Sequence, residues 1–289
     1  MSKFFDAIQR DNVLDLSDLG PAEPEAVSVQ QEPLRPALSV VEAPPPAFSP
    51  VRSACLRISA LAPLFPFDAA HYAAAEQYRI IRTKLLHHAK KPRLILISSA
   101  CSGDGKTVTA INIAASLALK EELSVLLVDA DLRRPRVAEA LGVTASPGLT
   151  EVLSGKLPLS AALVKAEQFP NLSILPSGAS GENPAELLDS DRFRALIAEA
   201  RARFSIVIFD ATPVATVADY ELLQHVCEGV LIVIRPEHTE RARCAKGLEL
   251  IPKEKLLGVI LNCVEDWWLW KTPAYDYYQR VSAERTARA

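Results

Sequence analysis

The sequence has no apolar run long enough to cross a bilayer. Its longest such stretches, around 94–97, 125–128, 206–209 and 230–234, are strand-sized, whereas a membrane helix needs about 20 residues. Neither sign of charge is in excess: 32 Lys and Arg against 35 Asp and Glu leave a net −3. A nucleic-acid coat, which calls for a basic surplus, is therefore not expected. The opening Met1–Arg10 has no apolar core behind its positive charge, so no secretory leader is expected. The five cysteines, at 55, 101, 227, 244 and 263, form neither a CxxC pair nor an even framework and read as reduced thiols. No internal repeat is visible. What remains is a chain of 289 residues, 49% apolar and 23% charged, which is globular in composition, long for one average domain and short for two.

Composition divides the chain near residue 67. Ten of the 21 prolines fall between Pro21 and Pro66, including Pro44, Pro45 and Pro46, with little apolar periodicity. Such a stretch buries too little surface to offset its ordering entropy, so 1–67 is expected to be a largely disordered arm. Within it, Phe4, Phe5, Ile8, Val13 and Leu16 are compatible with a short docking helix or with an unstructured start. From Asp68 the pattern becomes regular. Helix is expected over 68–89, 106–120, 136–141, 184–204, 218–226 and 240–251, and strand over 94–98, 124–128, 172–175, 206–209, 230–234 and 256–261. Strands this apolar, alternating with helices, imply an α/β fold: a doubly wound, mainly parallel sheet covered on both faces, occupying 68–266.

The first strong strand runs into Ser98-Ser-Ala-Cys-Ser-Gly-Asp-Gly-Lys-Thr107 and then a helix. Ser102, Gly103, Asp104, Gly105, Lys106, Thr107 and Val108 match a P-loop, in which backbone N–H groups and a helix N-terminus surround a phosphate. Lys106 would reach the terminal phosphates and the Thr107 hydroxyl would ligate Mg²⁺. Ala100 stands where the motif has its first glycine. Cys101, inside the loop, reads as a small filling side chain in preference to a reactive thiol.

Acidic residues end the next strands. Asp129 and Asp131 close Val125-Leu-Leu-Val-Asp-Ala-Asp-Leu-Arg133, and Asp210 closes Ile206-Val-Ile-Phe-Asp. Carboxylates at the carboxyl ends of buried strands project into the crevice where α/β sheets bind ligands. Beside a P-loop, they favour metal work over simple helix capping.

On these residues the chain resembles the bacterial tyrosine kinases (BY-kinases) of capsule and exopolysaccharide synthesis, a P-loop NTPase type. Asp129, Asp131 and Arg133 match the family's D-x-D-x-R element. Asp210-Ala-Thr-Pro213 matches its D-x-P-P element with Thr212 replacing the first proline. Glu76, Arg79 and Arg82 fit the E-x-x-R-x-x-R signature of subunit contact. They occupy one helix flank, where a solvated charge triplet is the competing interpretation. Asn262 resembles the adenine-side asparagine, with a strand-end cap as the alternative.

The segment 267–289 holds all three tryptophans and half of the six tyrosines. By resemblance, Tyr275, Tyr277 and Tyr278 correspond to a tail phosphorylated by a neighbouring subunit, while Trp267, Trp268 and Trp270 suit aromatic anchoring. The resemblance implies an ATP- and Mg²⁺-dependent autokinase in which Lys106, Asp129, Asp131 and Asp210 are catalytic. Thr107, Asp131 and Asp210 serve the metal, and Asp129 accepts the phenolic proton. It further implies a ring-like homo-oligomer, an activating membrane polysaccharide co-polymerase, a cognate phosphatase and cytoplasmic placement at the inner face of the membrane. Two rivals stand beside it. Partition or division-site ATPases carry a lysine early in the loop, where this chain has Cys101; an ATP-binding assembly scaffold would lack phosphotransfer.

Overall fold

The computed structural model describes residues 52–57, 72–181, 183–214 and 217–264. The expected N-terminal helix and the aromatic tail lie outside them. The described chain runs β1 (Arg52–Ala54), α1 (Tyr72–Leu86), β2 (Leu94–Ser99), α2 (Lys106–Ala118), β3 (Val125–Asp129), α3 (Val137–Leu141), α4 (Leu149–Leu153) and α5 (Leu159–Ala162). It continues through β4 (Val164–Ala166), β5 (Leu172–Leu175), α6 (Pro184–Leu188), α7 (Asp191–Arg203), β6 (Ile206–Asp210), α8 (Ala218–Val226), β7 (Gly229–Ile234), α9 (Arg241–Glu249) and β8 (Leu256–Leu261).

These strands form one sheet in the order β1-β4-β5-β3-β6-β2-β7-β8. Every pairing is parallel except β4 with β5. Strands β2, β3, β6 and β7 are buried along their whole length, which is why each is a continuous apolar run instead of an alternating one. Two apolar cores lie on opposite sheet faces. One joins Leu94, Leu126, Phe193, Phe209 and Tyr220; the other joins Ile95, Ile111, Ile113, Leu127 and Ile208. Each fully buried Leu, Ile or Phe is worth about 1.5–3 kcal/mol relative to exposure.

One short element was not foreseen, and one expectation needs correcting. Strand β1 falls inside the stretch expected to be disordered. It is held less by apolar burial than by Arg52, whose guanidinium donates to Thr144 Oγ1 (3.1 Å), Pro147 O (2.7 Å) and Ala162 O (2.9 Å), with Leu56 buried just beyond. The helix expected over 184–204 is two helices. Ser190 accepts from the N–H of Phe193 at 3.2 Å and starts α7 afresh, because a serine that caps a helix competes with one that continues it.

Candidate active site

The sheet order places the carboxyl ends of β3, β6, β2 and β7 side by side. Asp129 is the register partner of Asp210, and Asp210 that of Ile97, so the acidic strand ends stand next to the strand that feeds the P-loop.

The loop is shaped from within. Gly103 and Gly105 take φ of +93° and +90°, a left-handed conformation that penalises any Cβ. Between them Asp104 is fully buried. Its carboxylate accepts from the N–H of Cys101 at 2.8 Å and from the Thr239 hydroxyl. Its carbonyl accepts from Asn262 Nδ2 at 2.9 Å. His238 Nε2 lies 3.0 Å from the carbonyl oxygen of Ser102 and donates to it. Thr239 and His238, which sequence reasoning missed, come from the β7–α9 loop. Their only advance signal would have been the adjacency of β7 to β2, which the order of strands along the chain does not reveal.

Lys106 opens α2 and sets Nζ 2.8 Å from Asp131 Oδ2 and 3.6 Å from Asp210 Oδ1. The Thr107 hydroxyl donates to Asp210 Oδ2 at 2.6 Å. Burial acts to lower the Lys106 pKa, but Asp210 and Asp131 outweigh it and raise the ammonium above its ordinary value. Burial also raises the Asp210 carboxyl, against the opposing pull of Lys106 and Thr107. Asp129 is pushed up to about 8 by burial and by the neighbouring Asp210. Its Oδ2 accepts from the N–H of Val137 at 3.0 Å, whereas Oδ1, like Asp210 Oδ1, is buried without a hydrogen-bond donor.

A cavity of about 900 Å³ opens over these groups, walled by the P-loop, Asp131, the arginines after it, Thr212, Pro213, His238 and Arg243. Asp129, Asp210 and Asn262 lie behind its wall and not in it. Asp129 is fully buried, as is Asp210, and one N–H of the Asn262 amide donates to the P-loop carbonyl, which leaves its second N–H and its oxygen for a ligand. The turn after Asp210 is fixed despite its missing proline: Ser98 Oγ donates to Thr212 O at 2.7 Å, and the Val214 N–H donates to Ser99 O at 2.9 Å.

The donors suit a hard divalent cation, which prefers oxygen ligands. Among the described residues, no three acidic, His or Cys side chains converge closely enough for a metal cage. Thr107, Asp131 and Asp210 present the oxygen atoms that such a cation would take. Glu76, Arg79 and Arg82 lie elsewhere, on α1, which packs on α2. Arg79 pairs with Glu76 at 2.8 Å, and Arg82 donates to Ser116 O at 3.0 Å. Arg82 thus hydrogen-bonds within its own chain, to the helix on which α1 packs. Tyr275, Tyr277 and Tyr278 fall outside the described residues.

Comparison with known proteins agrees with this geometry. The AAA domain family profile matches residues 92–254. Tyrosine-protein kinase YwqD of Bacillus subtilis (strain 168) is 40% identical over 208 residues, spanning 71% of this chain and 86% of YwqD. Among solved structures, the chimerical protein CapA2B2 superposes with a TM-score of 0.67 at 27% identity, covering 76% of this chain and 96% of its own. The kinase domain of the Escherichia coli tyrosine kinase ETK gives 0.63 at 25% identity, covering 75% and 91%. With the P-loop, the D-x-D-x-R element and the acidic end of β6 brought together at the carboxyl ends of neighbouring strands, the chain belongs to the bacterial tyrosine kinase family of P-loop proteins.

Proposed function

We propose that the chain is an ATP-dependent protein-tyrosine autokinase that phosphorylates Tyr275, Tyr277 and Tyr278 of a neighbouring subunit. The observation that carries this reading is the seat of Lys106, 2.8 Å from Asp131 and 3.6 Å from Asp210, with Thr107 bonded to the same Asp210. Phosphoryl transfer needs little covalent help from a protein; it needs positioning and stabilisation of charge on the moving group. Lys106 supplies a positive charge at the start of a helix whose N-terminus favours phosphate. Thr107, Asp131 and Asp210 would hold Mg²⁺, which when bound neutralises phosphate oxygens. In the transfer, the bond from the γ-phosphorus to the ADP oxygen breaks as the bond from the tyrosine oxygen forms. The phenolic proton leaves to a carboxylate. We assign that carboxylate to Asp129, at the carboxyl end of β3, whose Oδ1 has no hydrogen-bond donor among the described residues, whereas Asp131 is engaged by Lys106 at 2.8 Å.

By the same reading, the kinase regulates exopolysaccharide or capsule synthesis. It works as a homo-oligomer activated by a membrane co-polymerase and reset by a phosphatase. Among the described residues no helix is long and apolar enough to cross a membrane; recruitment to the membrane through a partner belongs to the same reading.

The test is incubation of the full chain with MgATP, followed by mass-spectrometric mapping of phosphate. Tail phosphorylation that disappears in Lys106→Ala is expected. A Lys106→Ala chain should still receive phosphate from a chain carrying Tyr275→Phe, Tyr277→Phe and Tyr278→Phe. No phosphotyrosine even with an activating partner present would overturn the reading.

A further inference from the structure

Three arginines occupy four positions on the loop between β3 and α3, and all three line the cavity. They are not equivalent. Arg133 donates twice to Asp219, at 2.8 and 3.0 Å. Arg136 pairs with Glu139 at 2.6 Å. Arg134 is exposed, and among the described residues no carboxylate or hydrogen-bond acceptor engages its guanidinium. Its backbone is nonetheless fixed, because Asp131 Oδ1 accepts the Arg134 N–H at 3.0 Å. The carboxylate that pairs with Lys106 thus also positions an uncommitted cation at the rim. Across the cavity, Arg243 is held only loosely, 3.8 Å from Glu240. The site is acidic in its floor and basic at its mouth.

A protein gains little stability from such an arginine, which is solvated and has no partner for its guanidinium among the described residues. Its value lies in what it meets, and a guanidinium fork matches a carboxylate in two-bond geometry. We infer that Arg134 selects the phosphoacceptor by pairing with an acidic side chain beside the target tyrosine. The inference rests on the kinase reading above and narrows its substrate to acid-flanked tyrosines. The chain's own sequence Tyr275-Asp-Tyr-Tyr278 carries that feature, with Asp276 between two tyrosines. Neighbouring Cα atoms are about 3.8 Å apart, so a carboxylate one residue from the reacting phenol meets the rim while the phenol enters. Lysine in place of Arg134 would keep the charge but lose the fork.

The test uses the full chain with Tyr275, Tyr277 and Tyr278 changed to Phe, so that self-phosphorylation does not compete. Acceptors are synthetic peptides spanning 270–282, carrying Asp, Asn or Lys at position 276. The parent is expected to prefer the Asp peptide over the Asn peptide by about tenfold in kcat/KM, most of it in the peptide KM. Arg134→Gln should abolish that preference with the KM for ATP unchanged. Arg134→Glu should turn the preference toward the Lys peptide, an outcome that a merely structural loop residue would not produce. Persistence of the acidic preference in Arg134→Gln would overturn the inference and leave the kinase reading standing. So would a rise confined to the KM for ATP, which would seat Arg134 on the nucleotide. Absence of transfer to any peptide by the parent, together with absence of tail phosphate in the unmodified chain, would overturn both.

Discussion

Arg133 grips Asp219 through two parallel bonds, Nε to Oδ2 at 2.8 Å and Nη2 to Oδ1 at 3.0 Å, and the carboxylate it grips has no exposed surface. The arginine of the D-x-D-x-R element is therefore a clamp between the loop after β3 and the first turn of α8. Its hydrogen bonds to Asp219, with the charges of Asp219 and Asp131, raise the Arg133 pKa.

The clamp is expected to break asymmetrically. Arg133→Ala leaves a buried carboxylate without its cation and should cost about 2–3 kcal/mol, short of a fully buried pair because the Arg133 side chain is 44% exposed. Asp219→Asn releases an arginine that water can reach and should cost about 1 kcal/mol. Urea unfolding midpoints of the two variants check the order.

Thr107→Val removes the donor to Asp210 Oδ2 while nearly keeping side-chain volume. Phosphotransfer should fall about 10²–10³-fold, the scale of losing one group that stabilises charge in a transition state. Stability should fall about 1–3 kcal/mol from the buried acceptor left alone. Thr107→Ser retains the hydroxyl and should retain most of both. Initial rates at saturating MgATP and thermal melts decide it.

Gly105→Ala would drive a Cβ into Asn262 Nδ2 at a φ of +90°. The amide can swing aside only by releasing the Asp104 carbonyl. About 1–2 kcal/mol of backbone strain and about 1 kcal/mol of lost hydrogen bond are expected. Asn262→Ala removes the same bond, so the double variant should cost about 1 kcal/mol less than the sum of the singles. A double-mutant cycle in urea measures this coupling.

Glu151 ties two loops together: Oε2 accepts from the Gly148 N–H at 2.7 Å, and Oε1 from the Ser146 hydroxyl and the Ala179 N–H, each at 3.0 Å. Burial acts to raise its pKa, but the Ala179, Gly148 and Ser146 donors prevail and lower it. Because the folded value is depressed, this stabilisation is complete above the ordinary glutamate pKa of about 4.3. It is lost as pH falls through the lower folded value. Glu151→Gln should therefore cost about 1–3 kcal/mol at pH 7, with the deficit shrinking below about pH 4. Unfolding curves at pH 7 and in acid test both halves.

The central strands were legible because helices cover them on both faces, so Leu94–Ile97 and Ile206–Phe209 had to be apolar at every position. The phosphate loop was legible because its glycines and lysine follow from what a phosphate demands. Strand β1 was not, because one arginine and its hydrogen bonds hold a three-residue segment that has no apolar signature. The break between α6 and α7 was concealed by good helix formers on either side of Ser190. The support of the P-loop by His238 and Thr239 depends on β7 lying beside β2, which only the folded sheet discloses. Arg134 differs from its neighbours in that nothing among the described residues engages its guanidinium, a property of space and not of sequence.

The latch formed by Arg52 has a mechanical consequence. The chain enters the sheet through β1, an outermost strand separated from β3 by β4 and β5, so a load applied upstream falls on that margin before it reaches the phosphate loop. Detachment would begin by pulling one guanidinium off three oxygens, and the carboxylates around Lys106 would hold their positions while the border gives way.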